Sequence, residues 1–274
     1  MLDEDATAAL RSTRFTDVRW MAQTGSTNAD ALALARAGAA EGVVLVADHQ
    51  TAGRGRQGRT WSAPPGASLL TTILLRPPAA VAGLVTIAAG LAAAAAVEEV
   101  AGFAPRLKWP NDLVWPGDGP EPDRKLAGIL AEADWPPRTA DAAPAADEAV
   151  TVVVGIGLNV NWPAELPDDL APIAVACNHV AGHPVDRAAV LVALLRHLEA
   201  RYAALLADPA GTALLAAWRE RSATLGRAVR VELGTETVLG TAVDVTAAGH
   251  LVVETTSGER REINVGDVVH LRPA

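Results

Sequence analysis

Three arginines, Arg54, Arg56 and Arg59, interleave with three glycines, Gly53, Gly55 and Gly58, in the stretch TAGRGRQGRTW at 51–61. Guanidinium groups stay charged and grip carboxylate or phosphate through paired donors. Glycines let backbone N–H groups approach an anion closely and let a loop reorganise. The segment reads as an anion-gripping loop, loose when empty and ordered when occupied. The competing reading is a solvated Gly/Arg tether for RNA. The run is short, is bounded by strands and ends in Trp61, which favours the grip. GRGRQG also matches G-x-G-x-x-G, but Pro64 and Pro65 follow too soon for a helix to open there, so a dinucleotide fingerprint is excluded.

Three other stretches could do chemistry. KWPND (108–112) sets an ammonium, an amide and a carboxylate at a strand end; a structural turn stabilised by Asn111 and Asp112 is the alternative. In RKLAGIL (124–130), Lys125 opens an apolar strand, a poor place for a lysine unless it points into a site or guards a sheet edge. GIGLN (155–159) permits close backbone approach, and Asn159 can hydrogen-bond a base, ribose or phosphate; a bend in the strand is the alternative. His179 and His183 are four apart, yet Gly182 and Pro184 break any helix between them and no third ligand is near, so no metal site is predicted. The lone cysteine, Cys177, carries no local sign of activation, and neither a Walker A loop nor a G-x-S-x-G elbow is present.

These residues need elements to hold them. Strands are predicted at 15–24, 43–48, 68–75, 106–109, 125–135 and 150–160. A helix capped by Ser26, Thr27 or Asn28 should run to Gly38. The apolar run at 81–100 reads as a helix buried against a sheet, not a membrane span, because it is mostly Ala, Gly and Val. Asp186 should cap a long amphipathic helix, with a second helix at 212–223. Residues 136–149, rich in Ala, Pro and acids, read as an exposed loop. Beyond about 225, the short β runs VRVEL, VLGTAVDV, HLVVET and EINVGDVVHL imply a small antiparallel barrel. Domain limits of 1–223 and 224–274 follow.

The chain of 274 residues has a formal net charge of −9, which argues against general affinity for nucleic acid and turns the local basic loop toward a small anion. One cysteine and the absence of a basic-then-apolar leader point to the cytoplasm.

The order of STN (26–28), QTAGRGRQGRTW (50–61), KWPND, RKLAGIL and GIGLN resembles the biotin–protein ligases. The resemblance implies an α+β fold: a mixed β-sheet flanked by helices, similar to class II synthetase cores, plus an SH3-like C-terminal barrel. It implies a two-step reaction. Biotin and ATP, with Mg²⁺, give biotinyl-5′-adenylate and pyrophosphate; the ε-amine of a lysine on a biotin carboxyl carrier domain then displaces AMP. The family match places Ser26, Thr27, Asn28, Gln50, Gly53, Arg54 and Trp61 around biotin. It places Arg56 and Lys125 at the reacting oxygens, and Arg59, Asn111 and Asn159 at the nucleotide. Asp112 would orient Lys125, bind Mg²⁺ through water, or accept the proton of the incoming lysine. The insertion PGDGPEPD (116–123) separates Asp112 from Lys125 further than in many relatives, which loosens the expected link between them. About two dozen residues precede STN, where bifunctional relatives carry a helix-turn-helix domain, so ligase activity without DNA binding is expected. Either a monomer or a homodimer fits. A lipoate–protein ligase and a non-catalytic RNA-binding adaptor are the alternatives.

Overall fold

The computed structural model describes residues 2–117, 121–135, 145–234, 236–264 and 266–270. A short helix, α1 (Glu4–Ala9), capped by Asp3, precedes β1 (Asp17–Thr24). It buries none of its residues, so no apolar period marks it in the sequence. Helix α2 (Thr27–Arg36) begins at the STN motif, but Ser26 in the cap position makes no side-chain bond to the first turn. Gln50 does so instead from the end of β2 (Val43–Gln50). Its Oε1 accepts from Thr27 N at 2.7 Å and from Thr27 Oγ1 at 3.0 Å. A partner 23 residues away replaced the local cap that the sequence favoured.

Strand β3 (Ser68–Leu75) is buried along its whole length. The apolar run that follows forms two helices, α3 (Ala79–Ala82) and α4 (Val85–Ala101), the second ending at left-handed Gly102. Small residues let α4 lie close to the sheet: a Cβ on Gly90 would stand 3.0 Å from Leu107 Cδ2. Among the described residues no helix is long and apolar enough to cross a membrane.

Next come β4 (Arg106–Lys108), β5 (Asp112–Trp115), β6 (Arg124–Asp134) and β7 (Thr151–Asn159). Strand β5 was not expected; DLVW is too short to stand out after the PND turn. The seven strands form one mixed sheet in the order β1-β2-β3-β7-β6-β5-β4, with β1 and β2 parallel and the rest antiparallel. Residues 136–144 of the expected loop lie outside the described residues; Ala149 bridges to Pro78.

Helices α5 (Cys177–Ala181), α6 (Arg187–Ala207) and α7 (Thr212–Arg221) follow. Asp186 caps α6 as expected, accepting from Ala188 N and Ala189 N. Alternation along β7 separates the two faces of the sheet. Val154, Ile156 and Leu158 join the core of α4 and α6, whereas Val153 packs under Ala31 and Ala35 of α2.

The C-terminal strands β8 (Ala228–Glu232), β9 (Thr237–Val245), β10 (Leu251–Thr255), β11 (Arg260–Ile263) and β12 (Asp267–His270) make a five-stranded antiparallel sheet, ordered β11-β10-β9-β8-β12. The run EINVGDVVHL is therefore two strands, broken before Gly266 and sent to opposite edges. Polar bonds dock this unit on the core. Trp109 Nε1 donates to Gly249 O at 3.0 Å, and Trp109 N to Thr224 Oγ1 at 3.0 Å. Asp123, at the end of the β5–β6 insertion, accepts from Arg227 at 2.8 Å and lies 3.1 Å from His270 Nδ1.

Candidate active site

A cavity of about 360 Å³ opens where the central sheet, the Gly/Arg segment and β12 meet. The strand order sets its long direction. Ser26, Thr27, Asn28 and Gln50 stand toward β2; Arg56, Asn111, Asp112 and Lys125 lie between; Lys108, Asp267 and Val268 stand toward β4 and the C-terminal sheet.

The first group is almost dry: Ser26, Thr27 and Asn28 are 6, 3 and 5 % exposed. Buried polar atoms require partners, and those of Thr27 and Asn28 have them. Thr72 Oγ1 sits 2.7 Å from both Thr27 Oγ1 and Asn28 Oδ1. Asn28 Nδ2 donates to Leu130 O at 3.1 Å and to Glu132 Oε2 at 2.7 Å; the same Oε2 accepts from Arg54 at 3.0 Å. Thr72 and Glu132 were missed in the sequence. Thr72 is one of three hydroxyl residues in β3, with Ser68 and Thr71, and Glu132 shows only through its contacts.

The floor is a trough of glycines. Gly155 and Gly157 share one face of β7, and Gly128 of β6 pairs with Gly157 across the ladder. A Cβ at Gly155 would stand 2.1 Å from Asn28 Oδ1, and one at Gly157 2.5 Å from the Trp61 ring. The GIGLN glycines thus make room for particular neighbours. Trp61 Nε1 is sealed from solvent with no partner, a donor aimed into the trough.

Lys125 reaches this face through a β-bulge. Along β5, Leu113 pairs with Ala127 and Val114 with Lys125, so Leu126 is the extra residue. The bulge turns Lys125 to the side of Gly128, where simple alternation would have placed it opposite. Its Nζ lies 2.7 Å from Asp112 Oδ1, an ion pair whose angles fall short of a hydrogen bond, and 5.5 Å from the Trp61 ring centre. The insertion at 116–123 therefore does not part the two residues; antiparallel pairing of β5 with β6 restores their approach.

The Gly/Arg segment closes the cavity. It holds one 3₁₀ turn, Arg56–Gly58, with Gln57 at φ +54°. Each arginine is anchored differently. Arg54 pairs with Glu132, Arg59 with Asp267 of β12, and Arg56 donates to Asn111 Oδ1 at 3.2 Å. Burial lowers the proton affinity of the Arg56 guanidinium, with Asp267 and Asp112 opposing. Asn111 is fixed in turn by donating to Ile129 O at 2.7 Å.

Two expected residues lie off the cavity lining. Gly53 is turned into the loop base, where its carbonyl accepts from Trp61 N. Asn159 is 2 % exposed beneath the segment 173–175, which pairs with Lys125 through Lys125 N to Ile173 O and Val175 N to Lys125 O. Its Nδ2 donates to Val175 O at 3.1 Å and lies 3.4 Å from Lys125 O. It braces the backbone of Lys125 and does not face the cavity.

Among the described residues no three His, Cys, Asp or Glu side chains gather as a metal cage. Asp112 and Asp267, the carboxylates nearest Lys125 and Arg59, are each paired with a cation.

Residues 20–135 match the biotin/lipoate A/B protein ligase family, and residues 224–271 match the biotin protein ligase C terminal domain. The biotin–[acetyl-CoA-carboxylase] ligase of Mycobacterium tuberculosis is 40 % identical over 260 residues, covering 92 % of this chain and 88 % of that protein. The chain belongs to the biotin protein ligase family. The bifunctional ligase/repressor BirA of Bacillus subtilis is 33 % identical across 86 % of this chain and 69 % of its own. Among solved structures, the biotin protein ligase of Aquifex aeolicus in complex with biotin and ATP superposes with a TM-score of 0.74 at 26 % identity. The match covers 94 % of this chain and all of that one. The mixed sheet with its antiparallel C-terminal unit is thus a biotin protein ligase fold.

Proposed function

We infer that the protein is an ATP-dependent biotin–protein ligase. It forms biotinyl-5′-adenylate and then biotinylates a lysine of a biotin carboxyl carrier domain of a carboxylase. The observation that carries this is Lys125–Asp112 facing half-buried Arg56 across one cavity, beside the buried Ser-Thr-Asn and Gln50 group. Family membership and the biotin- and ATP-bound Aquifex relative support it.

Ser26, Thr27, Asn28 and Gln50 offer donors and acceptors suited to the ureido end of biotin, with Trp61 over the glycine trough. A carboxylate oxygen then attacks the α-phosphorus of ATP. One O–P bond forms, the bond to the bridging oxygen breaks, and pyrophosphate leaves with that electron pair. Arg56 and Lys125 meet the oxygens whose charge grows, where such stabilisation is worth most. Of the three roles open to Asp112, orienting Lys125 fits its 2.7 Å contact. Mg²⁺ would supply charge neutralisation on the phosphates, held with them and not by a cage of this chain. In the second step the acceptor amine attacks the acyl carbon, the bond from that carbon to the phosphate oxygen breaks, AMP departs with that electron pair, and the proton of the new amide nitrogen passes to solvent. The closed 51–61 segment excludes water that would hydrolyse the anhydride.

We place the domain boundary at 223/224 and the enzyme in the cytosol, consistent with one buried cysteine whose thiol burial pushes up to about 12. Incubating a recombinant carrier domain with the protein, biotin, ATP and Mg²⁺ should add one biotinyl group by mass spectrometry. No addition, with lipoate bound in calorimetric titration and biotin not, overturns the reading in favour of the lipoate alternative.

A further inference from the structure

The cations at the cavity are paired, with two exceptions. Arg54 meets Glu132, Arg59 meets Asp267, and Lys125 meets Asp112. Arg56 has only the neutral Asn111 side chain and, at 3.5 Å, Gly266 O. Lys108, the first residue of KWPND, is half-buried in the cavity lining and its ammonium has no hydrogen bond or ion pair among the described residues.

A half-buried ammonium without a partner is costly, so the surroundings matter. The carboxylates near it are Asp112, Asp123 and Asp267. Each already has a cation: Asp112 has Lys125, Asp123 has Arg227, and Asp267 has Arg59. Glu232, also on the lining, pairs with Arg230. The Lys108 charge is therefore the surplus at that end. Burial also lowers its proton affinity, as expected of a lysine whose counter-ion is missing. The sheet order puts it away from the Ser26–Gln50 group, beyond Lys125, against the C-terminal sheet.

We propose that Lys108 is a catalytic residue that binds the pyrophosphate portion of ATP and the pyrophosphate it becomes. The inference rests on the ligase reading above. Arg56 and Lys125 serve the attacked phosphorus; Lys108 receives the group that departs. Its charge assists the first half-reaction and has no task in the second, because pyrophosphate is gone by then.

The halves can be measured apart. Pyrophosphate–ATP exchange and single-turnover adenylation report the first; transfer to a carrier domain from preformed biotinyl-5′-adenylate reports the second. Lys108→Gln should raise the KM for pyrophosphate and slow adenylation by tenfold or more. Biotin affinity and transfer from the adenylate should stay within twofold, and cooperative melting should be kept. Lys108→Arg, which keeps the charge, should recover most of the loss. Unchanged KM for pyrophosphate in Lys108→Gln overturns the proposal, and so does an equal loss in both half-reactions. If Lys108→Gln does not fold, Lys108→Met, which keeps the stem and removes the charge, takes its place under the same two criteria, with Lys108→Arg again as the test of recovery. A wild-type protein without exchange activity sinks the ligase reading itself, which is a separate result.

Discussion

The two walls of the cavity are built on opposite plans. The sheet side sets its floor through the backbone. Lys125 is set by a bulge, the trough by paired glycines, and Asn111 by a carbonyl of β6. Beyond its base, where Thr51 N and Ala52 N donate to Thr24 O and Gly25 O, the loop side is tied to the rest of the cavity by side chains, with exposed Arg54 and Arg59 in ion pairs with Glu132 and Asp267. Exposed ion pairs contribute about 0–1 kcal/mol each, so the loop can open at little cost while the floor cannot. The difference teaches a division of labour: one wall keeps geometry, and the other comes and goes with substrates.

Removing the floor's charge is the strongest way to test that division. Lys125→Ala should slow adenylation by about 10²–10³-fold, the usual cost of one stabilising group, while the protein still melts cooperatively. Rapid-quench measurement of pyrophosphate release checks it, and near-normal release would remove Lys125 from the chemistry. Next in size is Gly157→Val, whose Cβ enters space held by Trp61. Biotin affinity should fall at least tenfold by calorimetry, with helix content unchanged by circular dichroism. A trough indifferent to this change would mean that the glycines do not shape it.

On the loop side the effect should be of another kind. Asp267→Ala frees Arg59 and should release biotinyl-5′-adenylate into solution a few times faster, with stability changed by about 0–1 kcal/mol. Adenylate trapped as tightly as in the wild type would show that β12 does not latch the loop. The smallest effect concerns pH. Burial, acting against the hydrogen bond to Asp123, lowers the proton affinity of His270; Asp123, despite burial, is held below its ordinary value by His270 and Arg227. Both shifts favour proton release in the fold. Their stabilisation is present near neutrality and is lost as pH falls, first through the imidazole and then through the carboxyl range. The melting temperature of wild type should drop on acidification more steeply than that of His270→Gln, and parallel curves would contradict this.

Much of this was legible in the sequence, unevenly. Strands such as β2 and β7 carry runs of valine and stand out. The site motifs could be found because arginines among glycines and a lysine opening an apolar strand are costly without a task. What could not be found was set by distant partners. Gln50 caps α2 from another strand, and Asp267 binds Arg59 across 208 residues. Asn159 was read as a ligand because an amide after two glycines can hydrogen-bond a base, ribose or phosphate. Residues 173–175 cover it, and no local pattern announces that cover. The bulge at Leu126 was equally silent, since it exists only as a mismatch between two strands.

The β5–β6 insertion ends in Asp123, and that carboxylate is where the C-terminal unit is bolted down. The foot of β6 and the C-terminal unit thus meet in one joint. Replacing Arg227 and His270 together by alanine would leave Asp123 a buried anion without a counter-ion. Any exchange of the C-terminal unit has to keep basic groups at 227 and 270 or change residue 123 along with them.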